Sequence, residues 1–124
     1  MDSRIKSALA RGGVIDLTTT GRKTGQARRI EIVFHVIDGR IVISGMPRRE
    51  KRAWLANIEA DPHVTIHLKR DVVADLPAEA RVISDLDERR RLLADVARAW
   101  GRTDLDTMVA YSPLIEVVPD DVAA

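Results

Sequence analysis

The chain has 124 residues, 45% of them hydrophobic, and no cysteine. That length and apolar content suit one domain with a core of its own, and the lack of cysteine excludes disulfides, thiolate nucleophiles, iron–sulfur clusters and cysteine-ligated zinc. A formal net charge of +1 conceals an asymmetry: residues 1–70 carry 14 Lys/Arg against 7 Asp/Glu, whereas residues 71–124 carry 6 against 12.

In chain order, Ser3 to Arg11 reads as a short helix ended by Gly12-Gly13. Val14 to Thr20 is β-branched and reads as a strand. A glycine-punctuated basic turn follows. Arg29 to Ile37 alternates, with Ile30, Ile32, Phe34 and Val36 on one face and Glu31, Val33, His35 and Ile37 on the other. Asp38-Gly39 is a strong hairpin signal, and Arg40 to Ser44 returns as the partner strand. Glu50 to Ala60 fits a helix stopped before Pro62, and Val64 to Leu68 a strand. Val72 to Ser84 is either two strands or one strand broken at Pro77. Ser84-Asp85 caps a helix to about Trp100, with Asp87 or Glu88 placed to complete a capping box. Leu86, Leu93, Val96 and Trp100 form its apolar stripe. Leu114 to Val118 is a final strand. These elements do not alternate as βαβ units, and there is too little helix to cover a parallel sheet. The expected class is mainly β with α: a small antiparallel β-barrel with helices packed at its edge, one domain over 1–124.

The run TTTGRKTGQARR, Thr18 to Arg29, holds Arg22, Lys23, Arg28 and Arg29, two glycines and no acid. Glycines let backbone N–H groups turn toward an anion. Arginine offers a planar fork to phosphate or carboxylate, and lysine a point charge. Thr24 adds a hydroxyl, and Arg28 starts the next strand within reach of the same place. The spacing is neither a Walker A loop nor a G-x-G-x-x-G dinucleotide fingerprint. A solvated turn between strands explains it equally well on physics alone. A second basic cluster, Met46 to Arg52 (MPRREKR), either meets the first at one rim of the barrel or forms a separate surface patch kept for solubility. Trp54 and Trp100 read as core anchors before they read as stacking rings.

Several classes lose support. Aromatics are 3% of the chain, too few for a single-strand nucleic-acid platform, so no nucleic-acid partner is expected. His63 and His67 lie about 13 Å apart on a strand, so no metal site is expected. No apolar run approaches the ~18 residues of a membrane span, and MDSRIKSALARGG is no secretory signal, so the location expected is cytoplasmic. No nucleophile–base set follows from spacing. Tyr111-Ser112 offers hydroxyls to a substrate, and a packed turn tyrosine reads as well. If the chain is an enzyme, a cofactor carries the chemistry.

LTTTGRKTGQARR followed by VISGMPRREKRAWLANIEADPHVTIHL resembles the deazaflavin (F420)-dependent nitroreductase family, split β-barrel proteins of the flavin-reductase type found mainly in actinobacteria. The resemblance spans about residues 14–118. It implies that Arg22, Lys23, Thr24 and Arg28 grip the phosphate and oligoglutamate tail of F420. It implies that Ser44, Gly45, Met46 and Pro47 face the deazaflavin or its side chain, with Lys51 and Trp54 completing the wall. The reaction implied is hydride transfer from the reduced deazaflavin to a small enone, quinone or nitro compound, with Tyr111, Ser112 or water supplying the proton. FMN is the alternative cofactor, an FMN-dependent reductase or a non-catalytic F420 carrier the alternative function, and a homodimer the expected assembly. This chain departs from the nitroimidazole-activating members at Val33, where some carry an aromatic residue, and over Trp100 to Ser112, which has one tyrosine where they have several. Nitroreduction of a drug is therefore not implied.

Overall fold

The computed structural model describes residues 2–120. Six strands close into an antiparallel barrel: β1 (Gly13–Thr20), β2 (Ala27–Ile37), β3 (Arg40–Ser44), β4 (His63–Lys69), β5 (Val73–Val82) and β6 (Leu114–Pro119), in the order β1-β2-β3-β6-β5-β4. Four helices decorate it: α1 (Ser3–Arg11), α2 (Ala53–Ala60), α3 (Leu86–Trp100) and α4 (Leu105–Tyr111). The fold class is the one the sequence implied. Closure leaves no strand edge unpaired around the ring, although the β1–β4 seam is only three residue pairs long, Asp16↔His67 to Thr18↔Thr65.

Period-two alternation divides the apolar residues between two cores. Ile15, Leu17, Phe34, Ile43, Ile66, Leu76 and Val117 fill the barrel, with Ile30, Ile32 and Val36 packed against them, so the predicted inner face of β2 is the inner face. Ala8 and Leu9 of α1 and Ile58 of α2 join that cluster. The opposite face supplies Ile37 and Val42 to a second core, where they meet Leu92, Leu93, Val96 and Ala97 of α3 and Met108 and Val109 of α4. Burying one such Leu, Ile or Val stabilises by about 1.5–3 kcal/mol relative to leaving it exposed.

Local chemistry sets the connections. Asp2 caps α1 by accepting the Arg4 N–H at 2.7 Å. Asp38 and Gly39 both take positive φ (53° and 75°), the signature of a two-residue hairpin loop that matches strand twist. β5 runs unbroken through Pro77, which pairs with Thr65 on β4 and lies one residue before the β5–β6 ladder starts at Ala78↔Pro119. A proline without an N–H is tolerated at that ladder end.

Four expectations change. α2 starts at Ala53, not Glu50, because Arg52 sits in extended backbone and folds its guanidinium back onto the Met46 carbonyl at 2.7 Å. Asp85 caps α3 by accepting the Glu88 N–H at 2.9 Å, but no reciprocal half forms, because the Glu88 carboxylate binds Arg40 (2.7 Å) and Arg81 (2.9 Å). Leu86 is 66% exposed and leaves the stripe, which runs through Leu92, Leu93, Val96 and Ala97 with Trp100 packed at its end. And α4, a seven-residue helix, stands where the sequence pointed to no element.

Candidate functional site: two basic clefts at one barrel end

Antiparallel pairing brings six chain segments to one end of the barrel: the Gly21–Gln26 turn, residues 45–52, α2, the start of β4, the β5–α3 link and the α4–β6 corner. Both predicted basic clusters are therefore at the same end. They line two different clefts, one on each side of the start of α2.

The first cleft encloses about 380 Å³ and is walled by the basic turn on one side and by Ala53, Trp54 and Asn57 of α2 on the other. The turn is closed by its own backbone. The Gly21 N–H donates to the Gln26 carbonyl at 2.7 Å and the Gly25 N–H to the Gly21 carbonyl at 2.8 Å. Gly25 takes φ +73°, which favours glycine, whereas Gly21 is demanded by close approach: a Cβ there would lie 3.1 Å from both the Gln26 carbonyl and Thr24 Oγ1. Thr24 Oγ1 accepts the Gln26 N–H at 3.2 Å, and its own proton stays available to a ligand.

Asn57 ties this turn to α2. It is 5% exposed, accepts the Arg22 N–H on Oδ1 at 3.1 Å and donates from Nδ2 to Thr19 Oγ1 at 3.1 Å. Sequence reading quoted Asn57 only as part of a pattern and gave it no role. The signal was its place three residues after Trp54, which puts both on one face of a helix.

The four cations of the turn are not equivalent. Arg29 is neutralised by Asp16 at 2.9 Å across the β1–β2 pair. Asp16 also receives Lys69 at 2.7 Å, and these two partners hold its carboxyl below the usual range. Arg28 reaches only Gln26 Oε1 (3.2 Å) and the Ala27 carbonyl, and among the described residues Arg22, Lys23 and Arg28 meet no carboxylate within 4.0 Å. Three free cations therefore remain around the cleft, with the hydroxyl of Thr24 and the face of a half-buried Trp54.

The second cleft, also about 380 Å³, is lined by Arg48, Arg49, Lys51, Arg52 and Arg89, by one acid, Glu50, and by the α4–β6 corner, Val109 to Pro113. Arg89 is 9% exposed and meets no carboxylate among the described residues. It donates to the carbonyls of Val109 (2.9 Å), Ile83 (3.0 Å), Met108 (3.4 Å) and Ser112 (2.6 Å), so a single cation gathers the end of α4 and the start of α3. A positive charge is favourable at a helix C-terminus, and burial pulls the guanidinium below its ordinary pKa. Tyr111 is exposed and carries Arg49 over its ring at 5.8 Å from the centroid. Ser112 is 4% exposed, and its Oγ has no hydrogen-bond partner.

The remaining site expectations fare differently. Ser44 is buried and donates its hydroxyl to the Pro113 carbonyl at 2.7 Å, so it has no proton to offer a ligand. Lys51 is paired with Glu59 at 2.7 Å and lines the second cleft, not the first. Gly45, Met46 and Pro47 border neither cleft. Gly45 instead makes room for Arg52, since a Cβ there would lie 3.1 Å from the guanidinium and from Pro113 Cγ. Trp54 is both packed against the barrel core and exposed to the first cleft, so the core and ligand readings coexist. A larger depression of about 570 Å³ between β2 and α3 is a weaker candidate: its cations, Arg11 and Arg98, are paired with Asp71 and Asp95.

The family model described as F420H(2)-dependent quinone reductase matches residues 1–117. Among solved structures, a conserved hypothetical protein of Mycobacterium tuberculosis, Rv2991, is similar at 21% identity and a TM-score of 0.69, covering 97% of this chain and 81% of that one. A structure described as an F420-H2 dependent reductase (FDR-A) shares 21% identity at a TM-score of 0.63, covering 85% and 93%. A third, described as an F420 reductase, shares 19% at 0.63, covering 92% and 91%. At such identities the solved structures establish the shared barrel.

Proposed function

The chain belongs to the F420H2-dependent quinone reductase family and is an F420-dependent oxidoreductase; on that premise we propose that Arg22, Lys23, Thr24 and Arg28 hold the phosphodiester and carboxylates of F420 beside Trp54. The observation that carries this reading is the cleft with three cations and, among the described residues, no carboxylate against them, on a turn fixed by its own backbone and by Asn57. Unpaired cations on a preorganised loop suit a ligand that brings several negative charges. FMN has one phosphate and no glutamate tail, so it uses less of this charge.

Bound reduced F420 supplies a hydride. The protein's own contribution is position, exclusion of water and placement of a proton. Asn57 and the turn hydrogen bonds set where the anionic groups lie, and Trp54 offers an apolar wall beside them. The acceptor, a quinone by the family's description, lies at the same barrel end, and Tyr111, open to solvent at the second cleft, provides the proton that accompanies the hydride. Ser44 and Lys51 have no cofactor role in this reading, since their polar atoms are engaged elsewhere. We also assign the described barrel and helices to one cofactor-binding domain, acting in the cytoplasm of an actinobacterium as a homodimer. No described helix is long and apolar enough to cross a membrane, and one similar structure, at 18% identity, is described as a domain-swapped dimer.

Fluorescence titration with F420 and with FMN tests the reading, on the wild type and on Arg22→Ala/Lys23→Ala. Two lost charge-assisted contacts at about 1.5–3 kcal/mol each predict a loss of about 10²–10⁴-fold in F420 affinity, with the fold unchanged by circular dichroism. Unchanged F420 affinity in the double variant sinks the assignment, and preference for FMN moves the protein to the flavin branch.

A further inference from the structure

The second cleft is not used by the cofactor assignment above, yet its charge is as unusual. Arg48, Arg49 and Arg52 have no carboxylate partner within 4.0 Å among the described residues. The Arg48 guanidinium donates only to the Glu50 carbonyl at 3.3 Å, and that of Arg52 to the Met46 carbonyl. Burial, and next to it the charge of Arg48, push Arg52 below its ordinary pKa, as expected for like charges held together without a counter-ion.

A separate observation points to a ligand at the same place. Ser112 lines this cleft, is 4% exposed, and is fixed at both backbone groups: its N–H donates to the Met108 carbonyl at 2.8 Å and its own carbonyl accepts from Arg89 at 2.6 Å. Only the hydroxyl has no partner. A buried unpaired hydroxyl costs free energy, and in native proteins such groups are few. The Oγ is itself closed to solvent beneath the arginine rim, so a ligand oxygen meets it only where the cleft wall gives way. Leu55, Val82 and Pro113 give the same cleft an apolar side.

We propose that the second cleft is the acceptor subsite and that it selects acceptors bearing an acidic group, a carboxylate or sulfonate on an aromatic or quinoid ring. The ring lies on the apolar side and on Tyr111. Arg48 and Arg49 hold the acid, and Ser112 Oγ donates to it or to an acceptor carbonyl. This rests on the F420 reading for the reaction but not for binding. In the reaction the quinone carbonyl system gains a hydride from the reduced cofactor and one proton, giving the hydroquinone, and the acidic group is unchanged.

The test uses the full chain and two probes, 1,4-naphthoquinone-2-sulfonate and its neutral counterpart menadione. Isothermal titration of the protein without cofactor is expected to give at least tenfold tighter binding of the sulfonate. Arg48→Ala/Arg49→Ala is expected to erase that preference, and Ser112→Ala to weaken sulfonate binding several-fold while leaving the unfolding midpoint equal or higher. F420 affinity, measured in parallel, is expected to stay within twofold of wild type in the arginine variant. Equal affinity for the two quinones, or no binding of either, overturns the proposal. A fall in F420 affinity in the arginine variant also overturns it, because the cleft then belongs to the cofactor's tail. Failure of the wild type to bind F420 would instead strike the proposed function, and the quinone titration would still decide the subsite.

Discussion

Asn57→Ala is the substitution that best separates the site from the scaffold beneath it. The amide makes two hydrogen bonds, to the Arg22 N–H and to Thr19 Oγ1, both at 3.1 Å. Thr19 is 1% exposed and lines the first cleft beside Asn57, so its hydroxyl loses its partner at the cleft wall, and a buried group left unsatisfied there costs about 1–3 kcal/mol. The Arg22 N–H faces the cleft and is rehydrated on loss of its partner, which leaves a net cost of about 0.5–1.5 kcal/mol. The sum is a loss of about 1.5–4.5 kcal/mol of folding stability, readable by urea denaturation. Because the same amide anchors the basic turn to α2, F420 affinity is expected to fall about tenfold, equivalent to about 1.4 kcal/mol. Asn57→Asp is the companion variant. Its carboxylate keeps the shape and accepts from both partners, the Thr19 hydroxyl rotating to donate, but it places a negative charge beside an anion-binding turn. Its affinity is expected to drop at least as far as that of the alanine variant with a smaller loss of stability. If Asn57→Ala loses stability but binds F420 within twofold of wild type, Asn57 is only packing, and if Asn57→Asp binds normally, the first cleft is not an anion site.

Further outcomes follow from other contacts. Gly21→Ala puts a Cβ 3.1 Å from the Gln26 carbonyl and Thr24 Oγ1, so the turn must give by a few tenths of an ångström; F420 titration is expected to show weaker binding, with the unfolding midpoint hardly moved. Gly25→Ala forces alanine to φ +73° and is expected to cost about 1 kcal/mol in denaturant unfolding. Arg89→Met removes a donor from four carbonyls, of which that of Met108 keeps the Ser112 N–H, and is expected to cost about 3 kcal/mol or more, with loss of helix signal. Acid sensitivity has a defined source: Arg81 first and then Arg40 hold the Glu88 carboxyl down to about 2 from 4.5. A depressed carboxyl stabilises the fold above its unfolded pKa and loses that contribution as pH falls through the folded one, so the window is about pH 4.5 to 2. Glu88→Gln is expected to flatten the stability profile across that window, and an unchanged slope in acid denaturation would refute the coupling.

How far the sequence reached is clearest strand by strand. β1 to β4 and β6 fall within one or two residues of the predicted runs because alternation and the Asp38-Gly39 hairpin are local. Pro77 misled only over continuity, since whether a proline breaks a strand depends on which neighbour it faces. Helix α4 was missed for a related reason: seven residues without a strong apolar period are helical here because Met108 and Val109 are buried against α3 and Arg89 takes the terminal carbonyls. Leu86 went astray because helical periodicity does not say where a helix leaves its partner.

The site divides along the same line. By itself the sequence determined that a glycine-bounded basic turn and a second basic run would flank a hairpin, and antiparallel geometry then had to bring them to one end. Only the tertiary structure decided which charges survive. Asp16 removes Arg29, Glu59 removes Lys51, and the Pro113 carbonyl takes the proton of Ser44, while Arg22, Lys23, Arg28, Arg48 and Arg49 keep no acid against them among the described residues. The partners lie 8, 13 and 69 residues away along the chain, in other elements. Charge in a sequence is a property of residues, but free charge is a property of what the fold places within a few ångströms, and that is fixed by strand register and helix docking.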